Sequence, residues 1–192
     1  MTELVFATNN KNKIREISRV VPSSIKILSL ADIGCLEELP ETHYTIEDNS
    51  KEKAEFVFEK YGYNCFSEDS GLEVMALNGE PGVYSAHYAG SREPEKNNNL
   101  LLLNLRNVDN RKAQFKTVIT LVIDNRFDQF TGIVTGKIAE VPRGNNGFGY
   151  DPVFIPDGFN QTFAEMEPDE KIAISHRTKA FNSMTDYLTK NF

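Results

Sequence analysis

Hydrophobic and polar positions in the first third of the chain follow the order strand, loop, helix, helix. The apolar run at 4–7 predicts a short buried strand, and after a polar loop Ile14 and Ile17 recur at helical spacing. A second helix is predicted to begin after Thr45, which has an acidic residue three positions later as in an N-terminal capping pair, and to end at Gly62. The chain therefore opens with a strand that leads into two helices.

The middle of the chain carries patterns that are typical of β-structure. Short strands are predicted at 65–67 and 72–75, which places Asp69 on a turn between them. From 115 to 123 alternate residues are apolar or threonine, and a second β-rich run continues to Val141. These two runs predict a long antiparallel hairpin.

Two further helices are predicted in the second half of the chain. Ser91 can cap a helix that carries Pro94 in its first turn, with the apolar run 100–103 in the core. The final helix has one apolar face, formed by Ala180, Phe181, Met184 and Leu188. His176 and Arg177 are predicted to lie at its start.

Composition restricts the class of protein without identifying it. The 192 residues are 40% hydrophobic and 26% charged, enough for one core that can be drawn out into two lobes, and no linker divides them, so a single domain over 1–192 is expected. A net charge of −7 argues against binding of long nucleic acid. Without a signal peptide or an apolar run near the roughly 18 residues of a membrane span, we expect a cytoplasmic protein that does not bind membranes. Cys35 and Cys65 are expected to be ordinary thiols.

The polar loop after the first predicted strand is a candidate phosphate site. It consists of Thr8, Asn9, Asn10, Lys11, Asn12 and Lys13. Free N–H groups and the dipole at the start of the following helix favour a phosphate, and Lys13 could add a full charge. The loop lacks the glycine pattern of a Walker A motif, and polar loops with lysines at such positions are also common without this function.

Two acidic segments could together hold magnesium. Glu68 and Asp69 are adjacent in the predicted turn, and Glu37, Glu38 and Glu41 lie in a separate loop that contains proline. Mg²⁺ usually binds through one or two protein carboxylates plus substrate phosphates, so a complete cage of protein ligands is not required. The alternative interpretation is a pair of solvated acidic turns.

The segment 142–156, rich in Gly, Asn and Pro, is predicted to be a functional loop. Its aromatic residues Phe148 and Tyr150 could let a planar base lie on a ring, or they could be buried. Three cations are predicted close to the start of the last helix: Lys171, His176 and Arg177. They could bind a ligand or lie on the surface of that helix.

Six motifs, in their order along the chain, resemble those of the inosine triphosphate pyrophosphatase family, which includes the dITP/XTP pyrophosphatases. They are ATNNKNK at 7–13, NSKEKA at 49–54, EDSGLEV at 68–74, PGVYSA at 81–86, GFGYDPVF at 147–154 and KIAISHRTKA at 171–180. The match runs from Leu4 to about Leu188. The last two motifs together are highly specific.

The resemblance implies a role for each matching residue. Asp69 would accept the proton of the attacking water and approach Mg²⁺, and Glu41 would be the second metal carboxylate. Glu38 stays an alternative to Glu41, because Pro40 stands where some bacterial relatives carry another glutamate. The implied phosphate-binding residues are Thr8, Asn9, Asn10, Lys11, Asn12, Lys13, Lys53 and Lys171. The other implied substrate-binding residues are Ser70, Phe148, Gly149, Tyr150 and Asp151, with His176 and Arg177 reading the base.

The resemblance also implies a fold and an activity. The expected fold is α/β, with a long mixed β-sheet flanked by helices, in two lobes with a central active-site cleft, and the family is usually homodimeric. The expected activity is Mg²⁺-dependent hydrolysis of ITP, dITP and XTP to the monophosphate and pyrophosphate. Donors fixed to meet a 6-keto group would reject adenine, because they would be left unpaired against its amino group. The alternatives are a Maf-like pyrophosphatase for modified nucleotides and a non-catalytic nucleotide sensor.

Overall fold

A six-stranded mixed sheet and five helices form the protein in the computed structural model, which describes residues 2–191. The strands are β1 (Thr2–Ala7), β2 (Ile25–Leu28), β3 (Cys65–Val74), β4 (Lys112–Ile123), β5 (Arg126–Ile138) and β6 (Phe154–Pro156). The helices are α1 (Lys11–Ser18), α2 (Ile46–Tyr61), α3 (Pro94–Asn104), α4 (Pro168–Ile174) and α5 (His176–Asn191). The strand order is β2-β1-β3-β4-β5-β6. Because β1 is parallel to both β2 and β3 while β6 is antiparallel to β5, the predicted mixed α/β fold is confirmed.

The chain forms two compact units, which correspond to the two predicted lobes. The first unit contains the described residues through Asp69, together with Thr117–Gly132 and the residues from Arg177 onward. The second unit contains Ser70–Lys116 and Ile133–His176. The central cleft and the single domain stay predictions. In the part of the chain that the structure describes, no helix combines the length and the apolar character needed to span a bilayer.

Side chains of the first unit alternate between the two faces of the sheet. On β1, Leu4 and Phe6 pack in a cluster with α1 and α5, whereas Val5 and Ala7 pack in a cluster with α2. On β3, Phe66 belongs to the first of these clusters. This is the alternation that an extended strand imposes. Each face of the sheet is therefore covered by its own helices.

The prediction of two short strands around an acidic turn is wrong. Residues 65–74 form one strand, so Glu68 and Asp69 lie within β3, between β1 and β4 in the sheet. A stretch in which charged residues are followed closely by a glycine is typical of a turn. Here both carboxylates are buried and ion-paired, which allows them to remain inside the sheet.

The predicted start and end of α2 are confirmed. The Thr45 hydroxyl accepts a hydrogen bond from the Asp48 N–H at 3.0 Å and donates one to the Asp48 carboxylate at 2.6 Å. Gly62 ends the helix in the left-handed conformation, with φ of 73°. The cap predicted for α3 is wrong, because the N-cap residue is Glu93 and the Ser91 hydroxyl instead accepts a hydrogen bond from the Glu93 N–H.

The predicted hairpin is formed by β4 and β5. They are joined by Asp124 and Asn125, both with positive φ, as a two-residue hairpin turn of type I′ requires. The last helix also agrees with its prediction, since its four apolar positions pack in the core of the first unit.

The glycine-rich segment of the second unit is irregular up to β6, as predicted, but it is held in place. The N–H groups of Asn145 and Asn146 both donate to the Ala164 carbonyl, at 3.1 and 3.0 Å. Gly144 has φ of 80°, and a Cβ atom there would overlap the backbone of Ala164. Glycine is therefore required at this position both by conformation and by space.

Gly144→Ala is expected to destabilise the protein by about 1–3 kcal/mol more than Gly158→Ala, because overlap with fixed backbone adds to the cost of positive φ. Gly158 is the matched control, since it has φ of 86° but open space around its Cα. Urea unfolding of both variants measures the difference. Equal losses of unfolding free energy would show that a Cβ atom at residue 144 does not overlap the backbone of Ala164.

Candidate active site

One buried ammonium group in the first unit joins two carboxylates. Lys53 Nζ lies 2.6 Å from Glu41 Oε1 and 3.0 Å from Asp69 Oδ1. The Lys53 side chain is 5% exposed and that of Asp69 is 11% exposed, whereas that of Glu41 is 46% exposed. Three residues from a helix, a strand and a loop therefore form a half-open charged cluster, which we call the Lys53 cluster.

The Lys53 cluster carries more negative than positive charge. Burial acts to lower the pKa of Lys53, but the charges of Asp69 and Glu41 outweigh it and raise that pKa above its ordinary value. Burial raises the pKa of the Asp69 carboxyl above its usual range, although Lys53 and Lys13 act to lower it. Two carboxylates thus flank the Lys53 ammonium, and together they can attract a further cation.

Asp69 and Glu41 are the pair of carboxylates that fits a divalent cation. Each lies within hydrogen-bonding distance of the same nitrogen, so the two carboxylates flank one point in the structure. Among residues 2–191, no group of three or more His, Cys, Asp or Glu side chains is arranged to hold a metal by itself. Mg²⁺ usually binds at a site of this kind, in which one or two protein carboxylates are completed by substrate phosphates. Of the two candidate loop ligands, the structure brings Glu41 to Asp69, while Glu38 is exposed.

A second buried charge network surrounds Glu68. Arg177 donates from Nε to Glu68 Oε2 at 2.7 Å and from Nη2 to Glu68 Oε1 at 3.2 Å, and its Nη1 contacts Glu16 Oε2. Lys13 Nζ lies 2.8 Å from Glu68 Oε1. Burial acts to raise the pKa of Glu68, but the charges of Arg177 and Lys13 hold that pKa well below its usual range. Glu68 is therefore an anion at the centre of this network.

Arg177 is held between two carboxylates. Only 2% of the residue is exposed, and it is among the largest fully buried side chains of the protein. Arginine suits such a position, because its planar group binds carboxylates with two hydrogen bonds at once. The structure thus gives Arg177 a bracing contact between α1, β3 and α5, and its base-reading role stays a prediction.

The phosphate loop is partly closed by its own side chains. The Asn10 side chain accepts hydrogen bonds from the N–H groups of Asn12 and Lys13, at 3.0 and 3.3 Å, so these two donors of the first turn are capped. The Thr8 hydroxyl accepts from the Asn10 N–H at 3.2 Å. The expectation of free N–H groups is therefore corrected at Asn12 and Lys13, because asparagine at the N-cap position satisfies them. Asn9, Asn10 and Lys11 are exposed, and phosphate binding by the loop stays a prediction.

A second charged group lies wholly in the second unit. Asp151 Oδ2 accepts a hydrogen bond from the Phe148 N–H at 2.7 Å and from Lys171 Nζ at 2.6 Å. The Lys171 ammonium lies 4.8 Å from the centre of the Phe148 ring and 5.7 Å from that of Phe163, within the range of a cation–π contact. Lys171 and Asp151 are buried, so this pair fixes the conformation of the loop that carries the half-buried ring of Phe148.

Two of the other predicted ligand-binding residues of the second unit, Tyr150 and His176, are buried. Tyr150 is 4% exposed and donates a hydrogen bond to the Ser85 carbonyl at 3.0 Å. His176 is buried and stacks on Phe115, with ring centres 4.6 Å apart. For Tyr150 the structure supports the alternative of a buried aromatic residue. Gly149 lies in the same loop, and Ser70 is half-buried on β3.

Several residues make contacts at these sites that reasoning from sequence does not predict. Glu16 lies one helical turn from Lys13 on α1, and this spacing is the signal in the sequence that places it near the site. Asn49 and Glu52 bind the loop that carries Glu41, and Asn98 donates to the Gly149 carbonyl at 3.0 Å. The pairing of Glu68 with Arg177 spans 109 positions, and no local pattern in the sequence predicts it.

Comparisons with known proteins give one consistent family. The model of the Ham1 family matches residues 4–187. The chain is 56% identical over 188 residues to the dITP/XTP pyrophosphatase of Flavobacterium johnsoniae, covering 97% of this chain and 98% of that protein. It is 47% identical over 190 residues to the dITP/XTP pyrophosphatase of Porphyromonas gingivalis, covering 98% of each.

Solved structures agree with this result. The Ham1 protein of Staphylococcus aureus superposes with a TM-score of 0.91 at 37% identity, covering 100% of both chains. The HAM1 protein of Coxiella burnetii superposes with a TM-score of 0.92 at 34% identity, covering 99% of this chain and 100% of that chain.

Arg177→Met is expected to reduce the free energy of unfolding by about 3–5 kcal/mol, because Glu68 and Glu16 would remain buried without their guanidinium partner. Lys26→Met is the control, since it makes the same kind of change in a surface pair with Glu3 in which both side chains are more than half exposed. Denaturant unfolding compares the two variants. A loss at Arg177 no larger than that at Lys26 would contradict the bracing role.

Proposed function

The chain belongs to the Ham1 family, and from this premise we propose that it is a Mg²⁺-dependent pyrophosphatase that converts dITP, XTP and ITP to the monophosphate and pyrophosphate. The observation that carries the proposal is the Lys53 cluster, in which a buried aspartate and a loop glutamate share one ammonium group. The names of relatives with up to 56% identity over nearly the full chain support the substrate class. Removal of aberrant purine nucleotides from the nucleotide pool is the corresponding cellular role.

Asp69 is suited to accept a proton from the attacking water. Burial raises the pKa of its carboxyl, and a carboxylate with a raised pKa is a stronger base at neutral pH. Its Oδ1 contacts Lys53 Nζ, which fixes the orientation of the carboxylate. We therefore assign Asp69 the role of general base and a metal ligand.

The bound Mg²⁺ would neutralise charge on the triphosphate chain, with Asp69 and Glu41 as its protein ligands. Lys53 remains positively charged next to this site, because the two carboxylates raise its pKa. Phosphoryl chemistry depends mainly on positioning and charge neutralisation, which this set of groups can provide. Lys171 and the loop 8–13 remain the proposed phosphate contacts outside the cluster.

Recognition of the base is assigned to the second unit and to the start of α5. The half-buried Phe148 ring, held by the pair of Asp151 and Lys171, is the aromatic surface proposed to contact the nucleoside. His176 remains the proposed base-reading residue together with Arg177. A homodimer and a cytoplasmic location complete the proposal, on the strength of the family resemblance.

A panel of nucleoside triphosphates tests the proposed reaction. With Mg²⁺ present, ITP, dITP and XTP should release pyrophosphate far faster than ATP or GTP, and EDTA should abolish the release. A donor left unpaired against adenine costs roughly 1–3 kcal/mol, which corresponds to about 5- to 150-fold in kcat/KM. Equal turnover of ATP would contradict the specificity. Binding without turnover would instead support the nucleotide sensor, and preference for modified pyrimidines would support the Maf-like alternative.

Asp69→Asn should lower kcat for ITP by about 10²-fold or more, since loss of a general base typically costs 10²–10⁴. Asp186→Asn makes the same chemical change on an exposed position of α5 and should leave kcat unchanged. Thermal melting of each variant establishes that it is folded. Near-normal turnover in a folded Asp69→Asn protein would remove Asp69 from its assigned role.

A further inference from the structure

Glu41 lies in a segment without regular secondary structure. Residues 34–45 connect the short 3₁₀ helix Ala31–Ile33 to α2, and they contain neither a helix nor a strand. The Glu41 side chain is 46% exposed, so burial does not fix it. A ligand on such a loop loses conformational freedom when it binds a metal, and this loss weakens binding unless other contacts have already ordered the loop.

Two side chains of α2 hold the loop directly after Glu41. Glu52 accepts hydrogen bonds from the Thr42 N–H at 2.8 Å and from the Thr42 hydroxyl at 2.7 Å. Asn49 accepts from the His43 N–H at 2.8 Å and donates to the His43 carbonyl at 3.1 Å. We call these four hydrogen bonds the α2 clamp. The clamp thus satisfies the N–H and the carbonyl of His43, and the N–H and the hydroxyl of Thr42.

The clamp and the Lys53 cluster share one face of α2. Asn49 precedes Glu52 and Lys53 by three and four residues, the spacing that places side chains on the same side of a helix. Asn49 is 4% exposed, so it is a buried amide used to bind backbone. Lys53, from the same face, contacts Glu41 itself at 2.6 Å. Side chains of α2 therefore contact both the loop backbone next to Glu41 and the carboxylate of Glu41.

The helix is in turn fixed to the sheet. The Ser50 hydroxyl lies 3.1 Å from that of Ser67 on β3 and 2.9 Å from that of Thr120 on β4, and all three residues are fully buried. Ser67 is two positions before Asp69, so it points to the same face of the sheet. Asp69 is therefore connected to Glu41 through the backbone of β3, the hydroxyl contacts between β3 and α2, and the contacts between α2 and the loop.

We propose that Asn49 and Glu52 are positioning residues that hold the Glu41 carboxylate beside Asp69 for a divalent cation. The inference rests on the proposed function, because it assigns Glu41 and Asp69 to the metal. The clamp residues act through the loop backbone and are not themselves ligands. Loss of such outer contacts typically lowers metal affinity by about 10–100-fold.

Equilibrium binding of Mn²⁺, followed by electron paramagnetic resonance in the absence of nucleotide, tests the inference without relying on activity. Asn49→Ala and Glu52→Gln are expected to weaken Mn²⁺ binding by about 10-fold or more. Thr42→Val, which removes one clamp contact from the exposed loop, should act in the same direction by a smaller factor. Glu55→Gln is the matched control, because it makes the same change of charge on the solvent face of α2 and should leave binding unchanged.

Two further measurements separate positioning from general loss of structure. Amide hydrogen exchange should accelerate at Thr42 and His43 in the Asn49→Ala protein, while thermal melting of Thr42→Val should match that of the wild type. In steady-state assays, the Mg²⁺ concentration for half-maximal rate should rise, and kcat at saturating Mg²⁺ should be largely restored.

Glu41→Gln distinguishes failure of the inference from failure of the proposed metal site. If Glu41→Gln weakens Mn²⁺ binding while Asn49→Ala and Thr42→Val bind it like the wild type, the clamp has no positioning role and the metal site stands. If Glu41→Gln leaves Mn²⁺ binding unchanged, the proposed metal site is wrong, and the inference is overturned with it.

Discussion

Glu68 and Asp69 are neighbours on β3 that face opposite sides of the sheet, and each is tolerated in the interior because cations from helices reach it. Arg177 of α5 and Lys13 of α1 pair with Glu68, and Lys53 of α2 pairs with Asp69. A buried carboxylate without such a partner would be expensive, so the position of these helices and the charge of the strand are mutually dependent. The apolar clusters follow the same division, with α1 and α5 on one face and α2 on the other.

The two faces differ in how far their charged side chains are buried. On the Glu68 face, two carboxylates meet a guanidinium and an ammonium, and the Glu68 and Arg177 side chains are almost fully buried. On the Asp69 face, Lys53 contacts both Asp69 and Glu41, and the Glu41 side chain is 46% exposed. The first arrangement has the properties of a structural brace, whereas the second includes a half-exposed carboxylate that a cation can approach. Metal binding and proton transfer are therefore assigned to the more exposed of the two networks.

Local signals made much of the fold predictable from sequence. The cap at Thr45, the glycine at 62 and the apolar face of α5 each depend on residues within a few positions of one another. The error at β3 has the opposite origin, because its two charges are compatible with a strand only through partners elsewhere in the chain. The same limit applies to Arg177, which is paired with Glu16 across 161 positions. Motifs indicated which residues matter at the candidate site, but the contacts of Asn49, Glu52 and Glu16 required the folded structure.

The alternation of Glu68 and Asp69 also restricts how the length of this segment can change during evolution. Inserting or deleting one residue between Cys65 and Glu68 would turn every later side chain of the strand to the other face. Asp69 would then point towards Arg177, and Glu68 towards Lys53. Each buried cation would therefore face the carboxylate that now pairs with the other one. Homologues are therefore expected to keep the number of residues fixed here even where the side chains differ, and to place their insertions in the loops outside β3.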